Sequence, residues 1–144
     1  MAEPAAKKGD IIKSDGKGQV WVQPTGSTSP ISAVFSYEGP IDNGLSSNVL
    51  IMGKPAAILG STSTNSTPPA SQVAVTGQGS ILTQNIDDKA TISTASSNVL
   101  INGKKAARNG DKAMTWDYSS GPPGIGTQKE NASVQADGTV LIGG

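Results

Sequence analysis

The sequence predicts an all-β fold assembled from short hairpins, and three observations lead to this prediction. The apolar residues occur in short Val, Ile and Leu runs, whereas a helix needs about ten or more periodic positions. Gly, Pro or an Asn-Gly or Asp-Gly pair bounds each run, as is typical of strands joined by turns. One segment is also repeated within the chain, which indicates a structural unit that is used more than once.

The repeat is carried by residues 46–60 and 96–110, which are identical at eleven of fifteen positions. Both contain Asn-Val-Leu-Ile, then Gly-Lys, then two alanines with a glycine three residues further on. The alanine and glycine part occurs a third time at the N-terminus. The three signature copies lie near residues 4–10, 46–61 and 96–111. They predict three pseudo-equivalent hairpin units within one domain that spans residues 1–144.

The other elements are predicted from local composition. Strands or β-prone pieces are expected over residues 20–22, 49–51, 73–82, 90–93, 99–101 and 139–144. The last of these repeats the Val-Leu-Ile-x-Gly strand, so we expect it to begin a truncated fourth copy. Two polar or Pro/Gly-rich stretches, 61–70 and 115–124, are interpreted as loop insertions. No helix is predicted.

Composition excludes several classes of function. Eleven Lys and Arg balance eleven Asp and Glu, so no global charge attracts nucleic acid or an anionic membrane. Cysteine and histidine are absent, which removes the usual zinc ligands and nucleophile pairs. No window approaches the roughly 20 apolar residues that span a bilayer, and the N-terminus lacks an apolar signal segment. We therefore expect a protein made in the cytoplasm, without a cofactor.

Few residues are candidates for a catalytic or binding role. The glycine-rich segment 121–128 resembles a phosphate-binding loop, but Thr127 stands where that loop needs a lysine. Asp87 and Asp88 are the acid/base pair that a small hydrolase would use, although neighbours on a strand point to opposite faces. The sequence leaves open whether the aromatic residues anchor an interface or fill the core: Trp21, Phe35, Tyr37, Trp116 and Tyr118.

A strand Asn-Val-Leu-Ile-Asn-Gly-Lys followed by Pro-Ala-Ala-Arg-x-Gly-Asp is typical of one family, and the third copy of this chain resembles it most fully. The family is that of the PAAR and PAAR-like proteins, which form the tips of contractile injection machines. These machines include type VI secretion systems, phage tails and extracellular injection particles. The resemblance implies a cone of short β-hairpins with loop insertions, whose broad base sits on the end of a trimeric β-helical spike.

The resemblance also implies which residues form the core and the docking surface. They are Val49, Leu50, Ile51, Pro55, Ala56, Ala57, Val99, Leu100, Ile101, Ala106, Ala107, Arg108 and Asp111. Arg108 and Asp111 are close enough in sequence to pair across a tight turn, in a structural role.

The function that the resemblance implies is mechanical. One copy caps and sharpens each spike trimer and helps to pierce the target cell envelope, without enzyme activity. The implied partners are the trimeric spike and, as an optional addition, effector or toxin cargo; the target membrane is contacted only on injection. The protein is then expected at the tip of the assembled particle, and outside the cell or in the target cell after firing.

The chain departs from the family pattern at several positions. Family members typically bind a metal ion near the apex through histidines and a cysteine, so the zinc site cannot be carried over to a chain that lacks both. Lys7 and Ile58 replace the Arg of the signature, Lys105 its Pro and Ser61 its Asp. Two other functions stay open: a small hydrolase effector, and a carbohydrate-binding β-solenoid adhesin suggested by the Ser, Thr and Asn content.

Overall fold

A computed structural model describes residues 2–76 and 79–144 of the chain. Within these ranges the chain forms fifteen short strands and one helix. In chain order the elements are β1 (Glu3–Pro4), β2 (Ile11–Ser14), β3 (Gly18–Gln23), β4 (Ile31–Phe35), β5 (Glu38–Asn43), β6 (Leu50–Ile51), β7 (Lys54–Pro55), β8 (Thr62–Thr64), α1 (Pro69–Thr76), β9 (Ser80–Ile81), β10 (Lys89–Ile92), β11 (Leu100–Ile101), β12 (Lys104–Lys105), β13 (Lys112–Ser120), β14 (Ile125–Gln135) and β15 (Leu141–Ile142).

Three units of the same design account for most of these strands. Each unit has an outgoing strand, which follows a tight turn, and a returning strand, which comes later in the chain. The outgoing and returning strands are β2 and β5 in the first unit, β8 and β10 in the second, and β13 and β14 in the third. The returning strand of each unit pairs with the outgoing strand of the next. The six strands therefore close into a barrel in the order β10-β13-β14-β2-β5-β8, with antiparallel pairing throughout.

Each unit also contributes a two-stranded hairpin. β6 pairs with β7, and β11 with β12, across the turns Met52-Gly53 and Asn102-Gly103, in which every residue has a positive φ of 52–82°. Such turns match the twist of a tight hairpin. The third hairpin joins the two ends of the chain, because β15 pairs with β1. The prediction of a truncated fourth copy is therefore wrong: the last strand completes the first copy, since a ring of three units needs only three hairpins.

The alanine pairs of the three units meet in a closed ring of backbone hydrogen bonds. The N–H of Ala6 donates to the carbonyl of Ala107, that of Ala107 to Ala57, and that of Ala57 to Ala6, at 2.9–3.1 Å. All three side chains are completely buried. A close approach of three backbones leaves room for only a methyl group on each, which explains why the second alanine of the pair recurs in every copy.

A tight turn follows each alanine pair. The side-chain oxygen of Asp10, Ser61 or Asp111 accepts the backbone N–H of the residue three positions earlier, at 2.8–3.0 Å. The glycine just before it has a φ of 85–92° in all three turns, a conformation that favours glycine. Serine thus replaces aspartate in the second unit without loss of the turn hydrogen bond, because a hydroxyl oxygen accepts the same N–H.

Apolar side chains pack into three clusters. The barrel cluster, inside the closed sheet, contains Ala6, Ile12, Tyr37, Ile41, Ala57, Ala90, Ile92, Ala107, Ala113, Ala132, Val134 and Ala136. The hairpin cluster contains Ala5, Ile51, Ala56, Ile58, Ile101, Ala106 and Ile142, with Val49 and Val99 packed against it. The distal cluster contains Val20, Val22, Ala33, Phe35 and Tyr118, with Ile81, Ile86 and Trp116 packed against it. Of the two roles left open for the aromatic residues, core filling applies to Phe35, Tyr37 and Tyr118, which are buried.

The distal cluster is formed by the segments that connect the outgoing and returning strands of the barrel. In the first unit this segment forms β3 and β4, and in the second it forms α1 and β9. In the third unit it is the extended end of the β13–β14 pair. β4, β3 and β9 form a three-stranded sheet of their own. The three units are therefore alike at the hairpin end and different at the distal end.

The all-β prediction is confirmed, although three segments differ from it in detail. β8 lies in the predicted loop 61–70, and β13 covers the first part of the predicted loop 115–124, because pairing in the closed sheet overrides weak local propensity. α1 begins at Pro69, a residue suited to the first helical position, and overlaps the β-prone segment 73–82. Residues 77–78 of that segment lie outside the described residues. No described helix has the length and apolar character that crossing a membrane would require.

Enlarging one alanine of the ring should destabilise the whole domain. We expect Ala57→Leu to lower the free energy of unfolding by about 1–3 kcal/mol, because the added carbons have no space at a completely buried position. Urea denaturation followed by circular dichroism measures this change. Ala70→Leu, at an exposed position of α1, is the matched control and should have little effect. Equal stability of the two variants would contradict a tightly packed ring.

A second prediction concerns Gly39 in β5. A Cβ atom at this position would lie 1.9 Å from the carbonyl oxygen of Thr64 in the neighbouring segment. Because that atom belongs to the backbone, we expect Gly39→Ala to separate β5 from β8 and to cost about 3 kcal/mol or more. Gly16→Ala makes the same change where nothing lies within 4 Å, and should leave the melting temperature almost unchanged.

Candidate functional site

The three hairpins each expose one leucine. Leu50, Leu100 and Leu141 have relative exposures of 60%, 61% and 58%, and each occupies the same position in its hairpin. Near-equal exposure at three equivalent positions from distant parts of the chain indicates a surface with pseudo-threefold symmetry. We call this surface the hairpin face; it consists of the outer sides of β6–β7, β11–β12 and β15–β1.

The orientation of the leucines follows from strand geometry. Successive side chains of a strand point to opposite sides, so each exposed leucine is followed by an inward isoleucine that belongs to the hairpin cluster. Residues opposite each other on paired strands share one side. The residues opposite the three leucines are Pro55, Lys105 and Pro4. The hairpin face therefore presents three leucines and two prolines, with one lysine opposite Leu100.

Hydrogen bonds hold the hairpins in place relative to each other. The Ser46 hydroxyl donates to the side-chain oxygen of Asn102 in the turn of the β11–β12 hairpin. The Ser96 hydroxyl donates to the carbonyl of Gly143, which follows β15, at 2.7 Å. Both serines also accept the backbone N–H three residues further along, at 3.0–3.1 Å. Contacts between units therefore fix the spacing of the hairpins before any partner binds.

The structure divides the apolar sequence-predicted site residues into three groups, which are exposed, half-buried and buried. Leu50 and Leu100 lie on the hairpin face, whereas Val49, Val99 and Pro55 are half-buried. The residues in the interior are Ile51, Ala56, Ala57, Ile101, Ala106 and Ala107. Sequence reasoning missed Leu141 as a site residue, although the strand motif that it shares with the other copies was available as a signal.

Arg108 and Asp111 form an ion pair inside one of the tight turns. Nη2 of Arg108 lies 3.2 Å from Oδ1 of Asp111, which also accepts a hydrogen bond from the Thr94 hydroxyl. Asp111 is only 4% exposed, so this pair is more buried than a typical surface ion pair. Lys7 and Asp10 repeat the arrangement in the first unit at 3.1 Å. The two ion pairs stabilise the turns that lead into the barrel.

The residues present do not fit the metal ion that the family pattern implies. The chain has no histidine or cysteine, and no group of three or more Asp or Glu side chains in the described ranges is placed to hold a metal. The distal end is occupied by apolar side chains such as Val20, Val22 and Phe35.

Asp87 and Asp88 lie just before β10, and the expectation that they sit on a strand is wrong because β10 starts only at Lys89. Asp87 is exposed, and its carboxylate accepts the N–H of Lys89 at 2.9 Å. Oδ1 of Asp88 is buried and has no hydrogen-bond partner among the described residues. Burial, and then the charge of Asp87, raises the pKa of Asp88 above its ordinary value of 3.8. The two carboxyl groups therefore have different surroundings, one exposed and one partly buried.

The raised pKa of Asp88 gives a pH-dependent prediction. Below about pH 3.8 the carboxyl is protonated in the folded and unfolded chains, so burial costs nothing. As the pH rises from about 3.8 to the higher folded pKa, the unfolded chain loses its proton before the folded chain does, so stability is lost over this interval, and above it the folded state bears the full cost of a desolvated charge. We expect Asp88→Asn to raise the melting temperature at pH 7 and to have no such effect at pH 3. Asp15→Asn, at an exposed position, is the control and should change neither value.

Comparison with known proteins identifies the family. A family model described as PAAR motif matches residues 33–115, which is more than half of the chain. The match includes the whole second and third signature copies. A search of curated proteins finds no match, and a search of solved structures finds none either. The repeated signature, the all-β barrel with three hairpins and this match agree, and the chain belongs to the PAAR family of spike-tip proteins of contractile injection systems.

Proposed function

We propose that this protein caps the end of a trimeric β-helical spike, with one copy per trimer, and sharpens the spike so that it can pierce a target envelope. The observation that carries the proposal is the set of three exposed leucines at equivalent positions, Leu50, Leu100 and Leu141. A spike trimer presents the same surface three times around its axis. A single chain with three equivalent contact points matches that symmetry, with one hairpin for each subunit.

Energetics favour simultaneous contact of all three hairpins. Burying the exposed part of one leucine contributes about 1–2 kcal/mol. Association of two proteins costs at least about 4 kcal/mol in lost translational and rotational freedom. One leucine alone therefore gives no stable complex, whereas three leucines and the surrounding hairpin surface acting together offset the cost. Binding through three hairpins at once therefore favours one copy per spike over one copy per subunit.

The rigidity of the hairpin face suits a mechanical role. The alanine ring and the serine hydrogen bonds fix the three hairpins before docking. Docking therefore costs little conformational entropy. In this proposal the distal end points towards the target and the protein carries out no catalytic step. Effector or toxin cargo would attach away from the hairpin face. The protein would act at the tip of the assembled particle, and outside the cell or in the target cell after firing.

The two alternative functions have less support. A β-solenoid adhesin does not agree with the topology, because the strands close into a barrel and do not stack in coils. A hydrolase would depend on Asp87 and Asp88. The Asp87 carboxylate accepts a backbone N–H, and Oδ1 of Asp88 is buried without a hydrogen-bond partner among the described residues. No observation favours either alternative over the capping role.

Replacement of the three leucines tests the proposal. We expect the triple variant Leu50→Ser, Leu100→Ser, Leu141→Ser to fold normally, because these side chains are exposed, and to bind at least about 100-fold more weakly, a loss that corresponds to about 3 kcal/mol. The measurement is native mass spectrometry with the purified trimeric spike protein of the same injection system. Ile125→Ser removes an apolar side chain that is 71% exposed at the start of β14, next to the distal turn, and is the control.

Three results would contradict the capping proposal. They are unchanged binding of the triple variant, three copies per spike trimer, and a position on the spike shaft in a reconstruction of the assembled particle. The control variant should bind one copy per trimer, as the unmodified protein does.

A further inference from the structure

The segments that build the distal end contain no charged residue. Residues 18–37, 65–86 and 118–128 include none of the 22 charged residues of the chain. They make up 53 of the 144 residues, and 23 of these are Ser, Thr, Asn or Gln. Neutral hydroxyl and amide groups form hydrogen bonds but exert little long-range attraction on ions. The composition of this end therefore favours a neutral, polar ligand over an ionic one.

A groove opens at this end between two of the segments, and we call it the distal groove. Its volume is about 360 Å³, which is within the range of roughly 300–1,000 Å³ for small-molecule sites. One wall is the segment that precedes β10, in the second unit, and the other is the distal end of the β13–β14 pair, in the third. The lining residues include Gln84, Asn85, Asp87, Trp116, Tyr118 and Gly126.

Aromatic side chains belong to the β13–β14 wall. A Cβ atom on Gly126 would lie 2.9 Å from Cε1 of Tyr118 and 3.1 Å from Cε3 of Trp116, so both rings pack directly against this glycine. Tyr118 is buried, whereas Trp116 is half-buried and keeps a part that a ligand can contact. Because the C–H faces of a sugar ring are apolar, they stack favourably on an indole. This wall therefore suits the face of a sugar ring.

The opposite wall supplies amide and carboxylate groups. Gln84, Asn85 and Asp87 are exposed there. Amide side chains donate and accept hydrogen bonds, and a carboxylate accepts several, so these groups can bind neighbouring hydroxyl groups. Asp87 is the only charged residue among the described lining residues, and its charge would repel an anion. The groove therefore suits a ligand that is neutral and rich in hydroxyl groups.

Hydrogen bonds hold the two walls in place. The N–H of Asp87 donates to the hydroxyl oxygen of Tyr118 at 2.6 Å, which joins the walls directly. The Thr83 hydroxyl donates to the carbonyl of Pro123 and accepts the N–H of Trp21, so it joins the walls a second time and ties them to β3. A groove that is formed before binding loses little conformational entropy when a ligand enters it.

A lipid surface is less suited to this end than a saccharide. The exposed large apolar side chains of the described distal residues are Ile31, Val34 and Ile125. Ile31 and Val34 are three residues apart in β4 and so point to opposite sides of that strand. Single exposed apolar side chains are ordinary on protein surfaces, whereas insertion between acyl chains needs a continuous apolar face.

We propose that the distal groove binds a neutral saccharide, with one sugar ring against Trp116 and its hydroxyl groups bound by Gln84, Asn85 and Asp87. The site is separate from the hairpin face and does not depend on the capping function. In the capping arrangement the groove lies at the leading end, so saccharides of the target surface are the ligands that it meets first.

Titration of the isolated protein with neutral trisaccharides tests this proposal. The probes are maltotriose, mannotriose and N,N′,N″-triacetylchitotriose, and the measurement is NMR of the backbone amides of isotope-labelled protein. We expect at least one probe to shift the resonances of residues 84–87 and 116–126, with a dissociation constant of roughly 0.1–10 mM. Unchanged spectra at about 50 mM of each of the three probes, or shifts only elsewhere in the chain, would overturn the proposal.

Two asparagine variants locate the binding. Asn85→Gly removes the amide group, and glycine is compatible with the φ of 56° at this position. We expect the affinity to fall about three- to tenfold, because one or two hydrogen bonds to the saccharide are lost. Asn102→Gly makes the same change at a φ of 53° in a hairpin turn remote from the groove, and should bind as the unmodified protein does. Equal affinities of the two variants would contradict the assignment.

The outcomes are independent of the capping function, because the titration uses no spike protein. The triple leucine variant should bind the trisaccharide as well as the unmodified protein does, and Asn85→Gly should bind the spike normally. Selective loss of the distal amide signals with phosphatidylcholine vesicles, without a response to the trisaccharides, would overturn the proposal in favour of a lipid surface.

Discussion

The closed ring of backbone hydrogen bonds between Ala6, Ala57 and Ala107 is the constraint on which the rest of the structure depends. Each alanine donates to one neighbouring unit and accepts from the other, so the three units must approach the centre in the same way. The turn, the outgoing strand and the hairpin of each unit then follow in equivalent positions. A larger side chain would force the backbones apart and remove this coupling.

The ring separates an end where the units are alike from an end where they differ. At the hairpin end, three leucines have nearly the same exposure, as docking on a threefold partner requires. At the distal end, a two-stranded insertion, a helix with a short strand and an extended hairpin pack into one apolar cluster. Symmetry is present where a symmetric partner is proposed to bind and absent where the chain completes its own core.

The exposed leucines of the hairpin face provide affinity once they are buried, and this contribution changes little with salt. Of the residues opposite them, two are prolines and one is Lys105. The proposed docking therefore depends mainly on the burial of apolar surface.

The sequence by itself determined the all-β class, the three signature copies and the family, because turn residues and the repeated Val-Leu-Ile and Ala-Ala segments are local signals. Only the tertiary structure decided that β15 pairs with β1, since the two strands lie at opposite ends of the chain and neither indicates its partner. It also decided that Leu50 faces outwards and Ile51 inwards, because a strand of two residues is too short to show alternation. β8 and most of β13 form in polar segments that have little strand propensity of their own. Hydrogen bonds from neighbouring strands stabilise them, and only the tertiary structure brings those strands together.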